Sequence, residues 1–445
     1  MKKGDFSKLS FNLINSVAFG IFLLTVGLVT YINDVPVTHT PVFFYEYKVM
    51  GLDPLDWLTL FLIILVTTYL IIRNEISVTR FHKYILVITL VYIIGMIVGF
   101  IYGLIYDYPF NRWVQDFQRP FYLFVYFFIT FELLSDVKRF KIFLYYLFGV
   151  IILKAMLIAI NTFGQRNWWL NLGHRWTVTT YGTDLVILSL IFFIPMSYLF
   201  FYKNLKNYER LLFGLLVLLY ILITIAGLGR TILVLFLFST IYMIFEMTSN
   251  ARLKFFVTLF VVLISIVLYF QFLQPKFLER FSRHFGSIFN LAVSQENLSN
   301  ATRIVEIKNI VNRLFVNASL LQGMGLGAWW DDKIYKLPPF DFGSGFIGSN
   351  RYFYTHLLFL SQLLQIGLIG TIIFWILMGK MFFYTREVFK RLSENYSEKA
   401  LLLGLNIVYL NFALCMANYL RVFFFIGLFL GLIARLLLFV ENKVE

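Results

Sequence analysis

Cysteine and charge are both scarce in this chain of 445 residues. Its one cysteine, Cys415, excludes an internal disulfide and a cysteine-based metal cluster. Charged residues make up 14% of the chain, against about a quarter in a soluble domain. Hydrophobic residues make up 60%. This composition excludes a soluble globular protein and predicts a polytopic membrane protein, whose constant partners are membrane lipids.

The formal net charge of +14 could indicate nucleic-acid binding. The basic residues, however, fall at loop edges between hydrophobic segments, which is where membrane topology requires them. Anionic lipid or phosphate ligands can account for the rest. We therefore predict no nucleic-acid partner.

Apolar runs long enough to cross a hydrocarbon core of about 30 Å recur along the whole chain. We expect twelve spans, near 10–32, 55–72, 84–106, 119–135, 142–162, 181–202, 211–228, 231–248, 255–273, 356–379, 400–418 and 422–440. The predicted fold class is all-α, a polytopic membrane helix bundle of about 12 transmembrane helices with a large helical outer loop.

Lysine and arginine concentrate in the loops of one side, which predicts that both termini are cytoplasmic. Residues 1–273 then hold spans 1–9, residues 274–355 form one long outer loop, and residues 356–445 hold spans 10–12. In the loop, "PKFLERFSRHFGSIFNL" predicts an interfacial amphipathic helix. A second helix is expected in "ATRIVEIKNIVNRLFVNASLL", before the irregular "GMGLGAWW" and "PPFDFGSGFIGSN". Its apolar stripe should comprise Ile304, Ile307, Val311, Leu314, Ala318 and Leu321.

One arginine, Arg230, interrupts an apolar stretch of about 35 residues. Gly227 and Gly229 permit a tight turn there, so we expect two helices with Arg230 at the outer surface. Arg303 and His356 are expected on the same side. Arginine suits bidentate phosphate contacts, and histidine suits a base near neutral pH. The three together suggest a lipid-linked phosphate substrate with a base beside it.

Each of these residues also has an ordinary explanation. Arg230 could close a helical hairpin by snorkelling. Arg303 could lie on a solvated helix face with Glu306 as its partner. His356 could be a polar residue at the start of a span.

Other polar residues of the outer side are weaker candidates. Arg175, in a tryptophan-rich loop, could line the diphosphate or glycan path. Arg351, Tyr352, Tyr354 and Trp329 could contact sugar, although surface placement explains them equally well. Lys154 and Arg421 rank lower.

Four aspartates of the outer side were weighed as metal ligands or acceptor contacts. Asp53 and Asp56 could contact a metal or an acceptor, or could simply open a span. Asp331 and Asp332 are adjacent and make a poor chelate. We predict no metal site and no cofactor, and keep Asp56 as a possible acceptor contact.

Four short motifs occur in a fixed order between about 210 and 375: "GLGRT", "ATRIVEIKNI", "GMGLGAWW" and "THLLFLSQLLQIGLIG". In order, separation and expected topology, this region resembles the O-antigen ligase and O-antigen polymerase superfamily. The chain departs from that pattern at Leu357, which follows His356 where a small polar residue is more usual.

The resemblance implies a multispan glycosyltransferase that is metal-independent and inverting, with an oligosaccharide on undecaprenyl diphosphate as donor. Arg230 and Arg303 would bind the diphosphate, and His356 would take the proton from the acceptor hydroxyl. An ionised diphosphate needs fixed positive charge, whereas the alcohol needs a base. The resemblance also implies a bacterial inner membrane, with the active site on the periplasmic side.

We expect a polysaccharide polymerase whose acceptor is another lipid-linked unit, with a chain-length regulator as a candidate partner. One alternative is the ligase, which transfers finished glycan to lipid A-core. The other is a flippase or transporter of lipid-linked sugars. A transporter should carry charges at mid-membrane on broken helices, often with internal repeats, and the sequence shows no repeat.

Overall fold

The computed structural model describes most of the chain as α-helix. The described residues are 3–31, 53–73, 77–163, 186–227, 230–257, 298–336, 357–415 and 420–444, with the single residues 260, 264, 268, 352 and 355. Within this part of the chain there is no strand. Trp330 and Tyr352 form an isolated antiparallel bridge.

The helices follow the apolar runs of the sequence. They are α1 (Lys3–Tyr31), α2 (Pro54–Arg73), α3 (Arg80–Tyr106), α4 (Phe110–Leu133), α5 (Val137–Phe163), α6 (Leu190–Phe201), α7 (Asn207–Gly227), α8 (Arg230–Glu246), α9 (Leu298–Val316), α10 (Leu358–Arg391), α11 (Ser397–Leu414) and α12 (Leu420–Val444). A further helical stretch covers 249–257.

Seven helices in the described ranges are long and apolar enough to cross a membrane, namely α1, α2, α3, α5, α7, α10 and α12. Shorter apolar helices cover Val186–Phe201 and Val234–Glu246. The architecture is therefore that of a helical membrane protein. The larger count of about 12 spans stays a prediction.

Local sequence explains several helix boundaries. α7 ends at Gly227 and α8 begins at Arg230, where the glycine pair predicted a break. α2 begins with a capping box, in which Asp56 N donates to Asp53 Oδ1 at 2.9 Å and Asp53 N donates to Asp56 Oδ2 at 3.2 Å. Pro54 occupies the first helical position, where its missing N–H costs nothing.

The centre of the bundle is the pair α4 and α12. The two run parallel, since Gly427 lies against Leu123 and Gly431 lies against Phe127. Neither glycine leaves room for a Cβ, because that atom would lie 2.4 Å and 2.8 Å from the respective carbonyl oxygens. Small residues at such positions let helix backbones approach closely. α12 is buried along nearly its whole length.

Contacts between helices fix two ends of the bundle. α3 and α10 are antiparallel, because Gly95 lies against Ile366 and Val91 lies against Gly370. We call the end where α3 finishes and α4 and α10 begin the loop end, and the other the opposite end. α9 lies at the loop end, where Tyr106 Oη donates to Asn317 Oδ1 at 2.6 Å.

Helix α8 runs parallel to α10. The ring centroids of Tyr242 and Phe382 are 5.2 Å apart, and Arg386 Nε donates to Glu246 Oε1 at 2.5 Å further along both helices. The first residue of α8, Arg230, therefore lies towards the loop end.

Candidate functional site

Helix α10 is interrupted at Gly367, which has φ +69° and ψ −175°. An interruption leaves backbone groups without helical partners. Here the segment 319–330, which we call the glycine loop, supplies those partners. Four hydrogen bonds join the two backbones: Met324 N to Leu364 O at 2.7 Å, Gly325 N to Gln365 O at 2.9 Å, Leu368 N to Leu320 O at 2.9 Å and Ile369 N to Leu321 O at 3.2 Å.

The glycine loop packs between α10 and α3. Leu326 N donates to Gly95 O at 3.0 Å. A Cβ on Gly325 would lie 2.0 Å from Gly99 N, so the two backbones touch directly. The φ of Gly325 is +83°, a left-handed value that glycine adopts without a steric penalty. Both the conformation and the contact therefore require glycine.

The glycine loop reaches well inside the bundle. Gly95 lies eleven residues before Tyr106, which at 1.5 Å per residue is about 17 Å from the end of α3. Irregular backbone at membrane depth is tolerated only where protein or a water-filled cavity surrounds it. The loop meets this condition where it is surrounded by helices, since Met324 N and Gly325 N donate to α10, Leu326 N donates to α3 and Gly327 N donates to Asp116 on α4.

A buried acid–base pair on α4 contacts the loop. Asp116 Oδ2 accepts from Gly327 N at 3.0 Å, and Asp116 Oδ1 accepts from Arg119 Nη1 at 3.1 Å. Both side chains are buried. Ionisable residues buried among spans are costly and mark functional positions.

A neutral network continues behind this pair. Gln362 Nε2 donates to Tyr92 Oη at 3.0 Å, and Trp375 Nε1 donates to Gln362 Oε1 at 3.0 Å. All the polar atoms that are named here have partners, so the network fixes α3 and α10 together around the helix break.

Aromatic side chains connect the glycine loop to α9. The Trp329 ring centroid lies 3.6 Å from Arg313 Cζ, which is a cation–π contact, and Arg313 Nη1 lies 3.7 Å from Asp331 Oδ2. The Trp330 and Tyr352 rings stack with centroids 4.7 Å apart. Trp329 and Trp330 are buried, whereas Tyr352 is partly exposed.

The predicted apolar stripe of α9 is wrong in part. Ile304 and Ile307 are 39% and 40% exposed, although Leu314 is buried as expected. The buried face comprises Thr302, Glu306, Asn309, Ile310 and Leu314. Polar residues can occupy it because they have partners, as Asn309 Nδ2 shows by donating to Tyr335 O at 2.8 Å.

The structure describes some of the predicted phosphate-binding and catalytic residues. Arg303 is half-buried on α9. For Arg230 the backbone alone is described, at the start of α8. His356, Arg175, Arg351 and Tyr354 lie outside the described residues.

The residues on either side of His356 are described. Leu357 is the N-cap of α10, and Thr355 Oγ1 donates to Leu357 O at 2.8 Å. The start of α10 and the whole of α9 thus lie at the loop end, whereas the register of α8 on α10 places Arg230 level with Gly370, beyond the break.

Two aspartate candidates have structural partners. Asp56 is buried, and its Oδ1 accepts from Tyr122 Oη at 2.6 Å and from Gln118 Nε2 at 3.2 Å. It therefore ties α2 to α4 and favours the explanation that it opens a span. Asp331 pairs with Arg313. Within the described ranges no group of three or more acidic, histidine or cysteine side chains could hold a metal ion.

The two lower-ranked basic residues also have places in the fold. Lys154 is buried on α5, and its Nζ donates to Thr30 O at 2.8 Å. This bond anchors the end of α1. The backbone of Arg421 lies in the first turn of α12, at the loop end.

Burial changes the pKa of Tyr352, at the loop end. It raises the pKa of the Tyr352 phenol above its ordinary value, and the nearby Asp332 raises it further. A phenol is already neutral at physiological pH at its ordinary pKa of about 10, and the upward shift keeps it so, so Tyr352 can donate or accept hydrogen bonds. Burial likewise raises the pKa of Tyr108, against a smaller lowering by Arg313.

The sequence analysis missed Asp116, Arg119 and the helix break at Gly367. "NRWVQDFQRPFY" contains the first two as an acid and a base three residues apart, directly before an apolar run. That spacing places both on one helix face and could have identified them. The pair of glycines in "QIGLIG" was noticed as a motif but not interpreted as a break.

No protein-family model and no curated protein matches the chain. The resemblance of residues 210–375 to the O-antigen ligase and polymerase superfamily therefore stays a prediction.

Proposed function

We propose that the protein is a polysaccharide polymerase of the O-antigen, capsule or exopolysaccharide type. It transfers glycan from an undecaprenyl-diphosphate donor to a lipid-linked acceptor sugar. The observation that carries this proposal is that α9, with Arg303, and the start of α10, just after His356, lie together at the loop end of a helical membrane protein. Arg230 begins α8 at the end of that helix nearer the loop end, about level with Gly370 of α10.

The proposed reaction is a single displacement with inversion. The acceptor hydroxyl oxygen attacks the anomeric carbon of the donor while His356 takes its proton. The bond between that carbon and the diphosphate oxygen breaks, and the diphosphate leaves with the electron pair. Arg230, Arg303 and Arg175 stabilise its charge, so no metal ion is needed.

The glycan would lie along the aromatic part of the loop end. Tyr352 is partly exposed and neutral, so its ring and hydroxyl can both contact sugar. Arg351 and Tyr354 are its neighbours in sequence, and Trp329 supports the same region from beneath Arg313. Asp56 has no part in the proposal, because Tyr122 and Gln118 already bond its carboxylate.

The proposal places the protein in a bacterial inner membrane with both termini cytoplasmic and the loop end periplasmic. The donor reaches such a site from the outer leaflet. Further partners would be a chain-length regulator or, for a ligase, lipid A-core.

A flippase for lipid-linked sugars is the second candidate, and two observations favour it. Broken helices and buried charges are typical of transporters, and α10 is broken at Gly367 near the Asp116–Arg119 pair. Four of the backbone groups at the break, Leu364 O, Gln365 O, Leu368 N and Ile369 N, are, however, bonded to the glycine loop. They are therefore not available to coordinate an ion or a substrate, which favours the enzyme.

Incubation of purified protein with a defined undecaprenyl-diphosphate oligosaccharide, with and without lipid A-core, separates these functions. A ladder of products from donor alone supports the polymerase. Product that forms only with lipid A-core means ligase. Intact donor that moves across vesicles without any product means flippase.

Two substitutions test the proposed roles. His356→Ala should abolish turnover while donor binding persists, and wild-type turnover would remove the proposed base. Arg303→Ala should weaken donor binding about tenfold or more, because a charge-assisted hydrogen bond contributes about 1.5–3 kcal/mol. Lys308→Ala is the matched control, since Lys308 is an exposed basic residue of the same helix. It should change donor affinity less than about twofold.

A further inference from the structure

Asp116 is a buried acidic residue that the proposed reaction does not use. Its side chain accepts hydrogen bonds from Gly327 N and from Arg119 Nη1, at 3.0 Å and 3.1 Å. The side chain of Gln365, next to the break in α10, faces the same carboxylate. One side chain on α4 therefore holds the glycine loop at its deepest part and lies against the interrupted helix.

From the hydrogen bond between Asp116 and Gly327, the glycine loop continues towards α9. Two residues after Gly327, the indole of Trp329 packs on the Arg313 guanidinium, 3.6 Å from ring centroid to Cζ. Arg313 lies on the same helix as Arg303. A shift of the loop would therefore move the surface on which the α9 helix rests.

The loop also leads to the start of α10. Trp330 exchanges both backbone hydrogen bonds with Tyr352, at 2.9 Å and 2.7 Å. Tyr352 lies four residues before His356. The same loop thus contacts both the helix of the proposed phosphate-binding arginine and the segment that leads to the proposed base.

We infer that Asp116 is a positioning residue, which fixes the glycine loop and through it the relative placement of α9 and the start of α10. The effect on turnover rests on the proposed function, whereas the effect on the loop does not. A carboxylate suits this role because a charged acceptor forms a stronger hydrogen bond to a buried N–H than a neutral one does. Arg119 balances the charge from the same helix.

The alternative is that Asp116 and Arg119 only stabilise the bundle. The two explanations differ in their consequences for the Gly327 amide. If the pair is purely structural, breaking it would lower the free energy of unfolding. The amides of the glycine loop would stay protected from hydrogen exchange, and the folded enzyme would stay fully active. If Asp116 is a positioning residue, removing it would speed hydrogen exchange in the loop and lower kcat in the protein that remains folded.

The test compares Asp116→Ala with Glu132→Gln in the full-length protein. Glu132 is a matched control, since it is a buried carboxylate of the same helix, 3.6 Å from Arg73, at the opposite end. Hydrogen exchange of a peptide covering 323–330 reports the loop directly. Steady-state turnover of a defined undecaprenyl-diphosphate oligosaccharide reports catalysis.

We expect Asp116→Ala to speed exchange in the 323–330 peptide about tenfold, because the Gly327 amide loses its acceptor. Its kcat should fall about 10–100-fold, while the donor KM changes less than about threefold, since a small misplacement of reacting groups is enough for such a loss. Glu132→Gln should leave loop exchange, kcat and KM at wild-type values.

A double variant keeps the test decisive if Asp116→Ala does not fold. Asp116→Asn with Arg119→Gln removes both charges together but leaves an amide oxygen that can accept from Gly327 N. It should restore loop protection and most of the turnover. Exchange in the double variant about tenfold faster than in the wild-type protein would overturn the assignment of Asp116 as the acceptor that Gly327 needs.

Two further outcomes contradict the inference. Unchanged loop exchange in Asp116→Ala would show that the carboxylate does not hold the loop. Faster exchange with wild-type kcat would show that the loop does not position the reacting groups. If Asp116→Ala speeds loop exchange as expected but the wild-type protein transfers no glycan, Asp116 still fixes the loop and only the proposed function is wrong.

Discussion

Two of the close glycine contacts in this bundle need glycine for different physical reasons. In the glycine loop, Gly325 has a left-handed φ of +83° and touches the backbone of Gly99. In the α4–α12 pair, Gly427 lies in a helix and touches the carbonyl of Leu123. The first contact needs both a conformation and a space that only glycine provides, whereas the second needs only the space.

This difference distinguishes the candidate site at the loop end from the scaffold that the α4–α12 pair forms. A small side chain between α4 and α12 can be accommodated if the helices move slightly apart. A side chain at Gly325 would clash with the backbone of α3, and the left-handed φ of this residue would be unfavourable for it. The loop cannot shift to relieve either problem without breaking its own hydrogen bonds to α10. The loop end is therefore the less tolerant region, although it is irregular and the helix pair is not.

The largest effect is expected for Gly325→Ala. Overpacking costs about 1–3 kcal/mol, and a left-handed conformation costs a residue with a Cβ about 1–2 kcal/mol more. We expect the free energy of unfolding to fall by about 3 kcal/mol or more, measured by thermal unfolding in detergent. Near-wild-type stability with retained loop protection would show that the two backbones are not in contact.

Gly427→Ala should have an intermediate effect. The helical φ costs nothing, so overpacking against Leu123 remains, at about 1–3 kcal/mol. Because the α4–α12 pair lies outside the proposed site, the kcat of the folded protein should stay at its wild-type value. A loss of kcat greater than the loss of folded protein would erase the distinction between site and scaffold.

The smallest effect is expected for Gly379→Ala. Gly379 lies on α10 beyond the break, and no atom lies within 4 Å of the position that its Cβ would take. Alanine favours the helix over glycine by about 0.8–1.0 kcal/mol, so unfolding should shift slightly upward in temperature. A destabilisation as large as that of Gly427→Ala would show that the position of Gly379 is closely packed, and the comparison would lose its control.

Local sequence was sufficient for some features of the fold and of the site. The glycines before Arg230 predicted the boundary between α7 and α8, and apolar runs predicted the membrane helices. The sequence "DPLD" contains the capping box that starts α2. Each of these depends on residues within one or two helical turns, so no knowledge of distant partners is required.

Features that depend on distant partners were not predicted. The buried face of α9 includes Glu306 and Asn309 because other segments supply hydrogen bonds, so hydrophobic periodicity identified the wrong residues there. The depth of the glycine loop depends on Gly95 and Gly99, which no motif near residue 325 indicates. In α12, the "GLFLG" spacing is typical of close helix contacts, yet the partner α4 could be identified only from the structure.

The docked glycine loop has a consequence for biosynthesis. Asp116 and Gly327 are 211 positions apart in the chain, so α3 and α4 are synthesised and inserted long before the segment that will fill the gap between α3 and α10. α10, which forms the other side of this groove, is synthesised after the loop, so the loop can dock only when the later part of the chain is present. Docking of the glycine loop therefore belongs to the final assembly of the bundle and not to the insertion of its early helices.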